Sequence, residues 1–410
     1  MISFEEAQKL IEKNNPPMQK EPTSILEALG CVNAMNVRSP LALPCFDNSA
    51  MDGFVLRSKD TLGASAEHPI ALNIRGAIKA GDGAALSLGK KETYRIMTGA
   101  RILRGGDAVL AKEHAVLRNE HLLVIAPVPE GRNIRFRGEE IRKNEFVLPR
   151  GSVINPGTIG FLASMGMTEI VVYKKPRISL VATGSELMPP GVPLRPGRIY
   201  DSNTSMIQAA LENMRIRPEF VRRLNDKPAI IRKVIDFALR SSDVLIFMGG
   251  VSVGDHDYVK DVLGQAGVKT VFWKVSQKPG KPLYFGVKNN RLIFGLPGNP
   301  ASVFTCFYEY VYPAIRRFMG HKYPGLSSEK LRLKEALKPD LEKYLFLKSR
   351  REHGEHKTVT PLGRQRSHMI SALCEADSLV VVPNSEKMID KGEDVLVHAL
   401  PYALENAHEG

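Results

Sequence analysis

The sequence predicts a multidomain α/β and β chain. It is read as a central α/β domain with a mostly parallel sheet, mixed domains N-terminal to it, and a small β-barrel-like domain at the C-terminus. Three observations predict this. At 410 residues the chain is long enough for two to four domains of roughly 100 to 200 residues each. Between residues 176 and 326, short β-type runs alternate with helical stretches, the rhythm of a parallel sheet covered by helices on both faces. Beyond Leu326 the helical patterns give out and only strand-like runs remain.

Residues 1–175 form an N-terminal region, in which helical linker segments at about 1–40 and 148–175 flank a β-rich domain at about 41–147. Ser3-Phe4-Glu5-Glu6 reads as a capping box opening a helix with Ala7, Leu10 and Ile11 on one face, stopped by Pro16-Pro17. The runs Ala108 to Ala111 and Leu122 to Ile125, bounded by Gly and charged residues, read as strands. Asn155-Pro156 opens a helix bearing Ile159, Leu162 and Ala163 on one face, and Gly166 closes it. In the α/β domain, residues 176–326, the strands are expected at Ile178 to Ala182, Val244 to Met248 and Leu292 to Phe294. Ile231, Val234, Ile235 and Ala238 mark an amphipathic helix among them. In residues 327–410, Val380 to Val382 and Val395 to Val397 read as strands of the C-terminal domain.

Met1 to Leu10 carries two acids and no apolar signal core, and the longest uncharged run, Gly151 to Thr168, is too polar to span a bilayer. Cys31, Cys45, Cys306 and Cys374 show no C-x-x-C pairing, which fits a reducing cytoplasm better than a disulfide or zinc framework. The net charge of +13 is concentrated: residues 176–326 hold 21 Lys and Arg against 11 Asp and Glu. Such a local field favours an anionic ligand. Nucleic acid is disfavoured, because one tryptophan among 7% aromatics offers few stacking platforms.

Each expected strand of the basic segment runs into a cluster of polar or glycine residues. These are Thr183-Gly184-Ser185-Glu186, the stretch from Gly249 to Asp257, and Gly295-Leu296-Pro297-Gly298-Asn299-Pro300-Ala301-Ser302. In open α/β sheets ligands bind outside the carboxyl ends of the strands, so all three loops should share one edge. Lys278-Pro279-Gly280-Lys281-Pro282 adds two cations held by prolines. Gly249 and Gly254 have Walker A spacing, but Asp255-His256 stands where Lys and Ser/Thr are needed, and Val251 spoils a Rossmann fingerprint. Gly250-Val251-Ser252-Val253-Gly254 matches the nucleophile elbow of a serine esterase. Against that reading, no oxyanion-hole segment precedes Ser252, and two carboxylates follow within five residues. Glu186, Asp226 and Asp257 lie on loops at this edge beside Lys278 and Lys281. That grouping points to a Mg²⁺-assisted site for a phosphoanhydride, although Asp226 and Asp257 also precede helices and have helix capping as the competing explanation.

Taken together these loops resemble the molybdopterin molybdenumtransferase family, the group of MoeA and the gephyrin E-domain. Phe46 to Gly53 (F-D-N-S-A-M-D-G), Arg95 to Ala100 (R-I-M-T-G-A), Asn133-Ile134-Arg135 and Gly138-Glu139 carry the resemblance through the N-terminal part. The central part carries it in the loops already read. The resemblance implies insertion of molybdate into adenylylated molybdopterin with Mg²⁺-dependent release of AMP, by a homodimer in transient contact with other cofactor-synthesis proteins. It places Glu186, Asp226 and Asp257 at nucleotide, metal and catalytic positions and Lys278 and Lys281 at the anion. Asp52 and Thr98 would come from the second subunit. Gly249, Gly250, Ser252, Pro297, Pro300 and Ser302 would shape the substrate site, with Ser302 close to the molybdate. Lys343, Arg366 and Ser367 fall near the molybdate pocket. There Lys343 replaces the family's usual Arg, Arg366 replaces its usual Gly, and Lys348, Arg350 and Arg351 lie close by. A non-catalytic E-domain-like scaffold is the competing role, disfavoured because it uses an additional linked domain and no N-terminal extension is seen here.

Overall fold

The computed structural model describes residues 1–82, 86–251, 258–352, 354 and 357–402, and it divides into two compact units. One comprises Met35–Arg150 and Gly157–Thr168; the other comprises Met1–Ala34, Gly151–Pro156 and Glu169–Gly410.

The first unit is built on a six-stranded sheet in the order Ala108–Ala111, Gly53–Leu56, Glu92–Ile96, Ile70–Ile78, His121–Val124, Val116–Arg118. Successive side chains of a strand point to opposite faces. Accordingly Phe54 and Leu56 enter one core with Leu72, Leu122 and Val124, while Val55 enters a second with Ile96 and Val109. Gly53 starts its strand against the backbone of the next, where a Cβ would stand 2.0 Å from the Leu110 carbonyl oxygen. The helix Pro156–Ser164 forms as expected, but only Leu162 on it is buried and Ala163 is exposed.

The second unit holds the α/β sheet in the order Phe220–Leu224, Ile178–Thr183, Val244–Met248, Arg291–Leu296, Tyr284–Lys288, Lys269–Trp273. The first four strands are parallel, Tyr284–Lys288 runs against them, and Lys269–Trp273, antiparallel to it, runs with them again. Both faces are covered. Val244, Ile246 and Met248 pack with Ile207, Leu211 and Phe304, whereas Leu245 and Phe247 pack with Ile231, Ile235 and Leu263.

C-terminal to this sheet, five strands close on themselves into a barrel: Tyr344–Glu352, Thr358–Pro361, Ser327–Leu333, Asp394–Ala399, Ser378–Val382 and back to Tyr344–Glu352. A sixth strand, Gln277–Lys278 from the α/β region, joins Tyr344–Glu352 in parallel. The helix Phe4–Asn14 belongs to this unit too. Ser3 Oγ accepts from the Glu6 N–H at 3.1 Å, the Phe4 ring packs on Tyr310, Tyr344 and Phe346, and the Tyr344 hydroxyl donates to Glu5. The helical linker expected over the first 40 residues also contains a strand, Lys20–Ser24, paired antiparallel with Glu169–Tyr173. Its sequence, Lys-Glu-Pro-Thr-Ser, has no apolar alternation to announce it.

A buried ion pair joins barrel and α/β domain. His398 Nδ1 lies 2.9 and 3.0 Å from the two carboxylate oxygens of Glu309, which sits in the buried π-helix Phe307–Val311. Burial pushes the imidazole pKa down, but the hydrogen bond and charge of Glu309 outweigh it and hold the value above the usual 6.5. A raised folded-state pKa gives stability that is full below the unfolded value and fades as pH rises through the folded one. Urea unfolding followed by Trp273 fluorescence should therefore show the cost of His398→Gln, about 3 kcal/mol at pH 6, shrinking as pH rises above 6.5 and through the raised value.

Candidate active site at the carboxyl edge of the central sheet

Because Ile178–Thr183, Val244–Met248 and Arg291–Leu296 are adjacent and parallel, the three loops that follow them emerge on one edge. The Gly184 N–H donates to the Leu224 carbonyl, which draws the first loop against Asn225-Asp226. There the Ser185 N–H and hydroxyl both donate to Asp226 Oδ2, at 3.0 and 3.4 Å. Asp226 does not cap the next helix. The cap position of Pro228–Ser241 is Lys227 and receives no side-chain bond, so the capping explanation for Asp226 is withdrawn. Glu186 is exposed and folds back over Gly184, where a Cβ would meet both carboxylate oxygens at 2.7 Å.

In the second loop Gly249 and Gly250 adopt φ of +88° and +69°, conformations that favour glycine. A Cβ on Gly249 would stand 2.6 Å from the Thr183 carbonyl oxygen. Gly249→Ala should cost more than about 1 kcal/mol in urea unfolding and should lower activity by disturbing the first loop. Trp273 steadies the start of this loop: its indole N–H donates to the Val251 carbonyl at 2.9 Å, and the ammonium groups of Lys260 and Lys274 each lie 4.0 Å from its ring centroid. Ser252 and Asp257, singled out from the sequence, lie outside the described residues.

The third loop is held from two sides. Asn203 Nδ2 donates to the Gly298 carbonyl at 2.7 Å, and the Ala301 N–H donates to the Ser367 carbonyl at 3.0 Å. Pro297 and Ser302 are buried, and Pro300 opens the helix Pro300–Cys306. Asp201, one residue before the helix Ser202–Asn213, caps it through the Thr204 N–H and pairs with Arg223. Sequence reading passed over Asp201 and Asn203, and it included Thr183 in the first loop without giving it a role. The only sign of Asp201 and Asn203 was a D-S-N-T run at the start of an ordinary helix. The Oγ1 of Thr183 is buried and has no hydrogen-bond partner among the described residues.

Lys278 and Lys281 are both exposed on the loop that leaves the Gln277–Lys278 strand. The barrel cations separate into two groups. The Lys343 N–H donates to Asp340 Oδ1, in a turn before the strand Tyr344–Glu352. Lys348, further along that strand, is buried, and its Nζ donates to the Met369 carbonyl at 3.1 Å. Gln365 Oε1 accepts from the Lys348 N–H, and Gln365 Nε2 donates to the Lys348 carbonyl. Lys348 is thus the lysine packed against the turn that carries Arg366, which is exposed, and Ser367. Burial lowers its pKa.

In the other unit Asp52 and Thr98 meet directly. The Thr98 N–H and hydroxyl donate to Asp52 Oδ1 at 2.9 and 2.8 Å, which holds the Asp52 pKa below the usual carboxylate value; Lys112 lies 3.5 Å from Oδ2. Neighbouring motif residues are structural: Asp47 accepts from the Arg137 N–H, and Asn133 Nδ2 donates to the Val109 carbonyl.

Among the described residues no group of three or more His, Cys, Asp and Glu side chains converges as a metal cage, and no helix is long and apolar enough to cross a membrane. What the described part of the edge offers is two loop carboxylates, a buried hydroxyl without a partner among the described residues, glycine turns open to close approach, and two exposed ammonium groups. These suit a phosphorylated, anionic ligand.

Comparison with known proteins gives three family matches that together span most of the chain. Residues 2–166 match the MoeA N-terminal region (domain I and II), residues 179–317 a probable molybdopterin binding domain, and residues 330–400 the MoeA C-terminal region (domain IV). A molybdopterin molybdenumtransferase of Haemophilus influenzae is 33% identical, covering 98% of this chain and all of the relative. One from Staphylococcus epidermidis is 32% identical, covering 96% and 94%. Among solved structures, a molybdopterin biosynthesis MoeA protein from Pyrococcus horikoshii superposes with a TM-score of 0.82 at 27% identity, covering 97% of this chain and 99% of that one.

Proposed function

The chain belongs to the molybdopterin molybdenumtransferase family, and from that membership we propose that it inserts molybdate into adenylylated molybdopterin with Mg²⁺-dependent release of AMP. It is an enzyme of molybdenum cofactor biosynthesis, a transferase. The observation that supports the finer reading best is the state of Asp226. Its carboxylate caps no helix and is instead presented by Ser185 at the sheet edge, beside Glu186. Lys278 and Lys281 bind the phosphoanhydride as point charges and orient it toward these carboxylates. The glycine turns let the backbone approach it, and the turn around Ser367, with Lys348 behind it, receives the tetrahedral oxyanion.

Glu186 and Asp226 fit Mg²⁺ by donor chemistry, since that ion takes one or two protein carboxylates and completes its shell with water and substrate phosphate. When bound it neutralises charge on the phosphoanhydride. In this reading the protein works as a homodimer, with Asp52 and Thr98 of a second subunit completing the site. Mixing Asp52→Ala and Glu186→Gln subunits should then restore roughly one active site per verified heterodimer, and no recovery would place these residues in a single chain. The comparisons give the serine esterase alternative no support, the curated relatives bearing the transferase name. The direct test is to incubate the protein with adenylylated molybdopterin, Mg²⁺ and molybdate and to follow AMP and active cofactor together. AMP release with matching cofactor formation is expected; no AMP release from the complete mixture would overturn the assignment.

A further inference from the structure

Gln277 immediately precedes the lysine loop and is 1% exposed, so every hydrogen-bonding atom of its carboxamide requires a partner inside the protein. The structure supplies them from the lysine loop itself and from the helical segment behind it. Nε2 points at the carbonyl oxygens of Pro279 and Gly280, at 3.1 and 3.3 Å, and at Cys306 Sγ, at 3.6 Å. Oε1 accepts from the Tyr310 hydroxyl. Cys306 Sγ closes the circuit by donating to the same Gly280 carbonyl at 3.6 Å. Cys306 and Tyr310 are themselves buried, on the helical segment that follows the third site loop. Gly280 sits with φ +93°, where a Cβ would stand 2.5 Å from Cys306 Sγ and 2.7 Å from Gln277 Nε2. The backbone between Lys278 and Lys281 is therefore drawn down onto a buried polar hub. Both lysine side chains, by contrast, are exposed and form no ion pair among the described residues.

A carboxamide is an unusual occupant of such a place. Buried, it costs stability unless fully satisfied, and an apolar residue would fill the same space without that requirement. The two shortest donor contacts of this side chain fall on one object, the pair of carbonyls that set the course of the loop. We propose that Gln277, backed by Tyr310, is a positioning residue that fixes the Lys278–Lys281 loop in its anion-binding course, so that the two ammonium groups are arranged before the substrate arrives. Preorganised charges bind without the ordering cost that a free loop incurs. The inference rests on the reading that these lysines hold the phosphoanhydride.

The test is a set of full-length variants assayed for KM toward adenylylated molybdopterin, kcat and thermal unfolding. Gln277→Leu keeps the volume and removes the carboxamide; Tyr310→Phe, the gentler change, removes one donor to the hub. Lys278→Ala and Lys281→Ala, together and each with Gln277→Leu, complete the set. Gln277→Leu is expected to raise KM about tenfold with kcat within about twofold, and Tyr310→Phe to raise KM about threefold. In the doubly lysine-less background Gln277→Leu should add nothing, the non-additivity expected of groups acting through one another. If the lysine variants raise KM while Gln277→Leu and Tyr310→Phe leave it at the wild-type value, or if their effects simply add to those of the lysines, the positioning role is wrong and the lysine assignment stands. Unchanged KM in the lysine variants themselves would overturn both. Should Gln277→Leu fail to fold, Tyr310→Phe decides the matter alone by the same KM criterion.

Discussion

Asp226→Asn and Glu186→Gln should each slow AMP release by about 100- to 1,000-fold, the loss typical when one group stabilising developing charge is removed. The fold should survive both. The carboxamide introduced by Asp226→Asn keeps an oxygen to accept from the Ser185 N–H, and Glu186 is exposed, so urea unfolding should shift by less than about 1 kcal/mol. This separates the site reading from the capping reading. A cap lost at Asp226→Ala would destabilise by about 0.5 to 2 kcal/mol with no special effect on chemistry, whereas the structure ties this carboxylate to the opposite loop and leaves the cap position to Lys227. If the two carboxylates share the metal, the Mg²⁺ concentration for half-maximal rate should rise in both variants. Wild-type rates in the two variants would remove them from the reaction.

The second large effect is expected in the barrel. Lys348→Met should raise the molybdate concentration for half-maximal transfer by about 10- to 100-fold, the equivalent of one charge-assisted hydrogen bond. Lys343→Met should change it by no more than about threefold, and Arg366→Gly should fall between. An ammonium has three donors, and Lys348 gives one to the Met369 carbonyl. Since burial lowers the Lys348 pKa below the usual 10.5, its charge is present at low pH and is lost as pH rises through the lowered value. Molybdate binding should weaken at alkaline pH earlier than an ordinary lysine would allow. Lys348→Arg, which cannot be deprotonated, should keep binding flat across that range. A Lys343→Met defect larger than that of Lys348→Met would reverse the assignment.

Much of this was legible in the residues. Three of the four parallel strands announced themselves as apolar runs ending in glycine clusters, and Val244–Met248 falls where it was expected, whereas Phe220–Leu224, interrupted by Arg222 and Arg223, gave no such signal. The placement of three loops on one edge follows from chain order and right-handed crossovers. The barrel cations were harder. Lys343 and Lys348 lie five residues apart on a sequence without helical or strand punctuation between them, and only the pairing of Tyr344–Glu352 decides which one is turned toward Gln365. The Lys20–Ser24 strand was hidden because its side chains are polar and its partner lies almost 150 residues away. Gln277 carried no signal at all. A glutamine before a lysine looks like any surface residue until the fold buries it.

The docking of the first helix has a consequence for how the molecule is made. Phe4 and Glu5 find their partners at Tyr310, Tyr344 and Phe346, some three hundred positions downstream. At ribosomal speeds of about 5 to 20 residues per second, this segment waits roughly 15 to 60 s before the residues it packs against have been translated. Its apolar face, Phe4, Ala7 and Ile11, is meanwhile uncovered, and the Gln277–Lys278 strand stands without its barrel partner. The helix Phe4–Asn14 therefore acts as a clasp that fastens only after the strand Tyr344–Glu352 has been made. A nascent chain arrested before Phe346 emerges should leave the N-terminal residues open to protease that the finished protein resists.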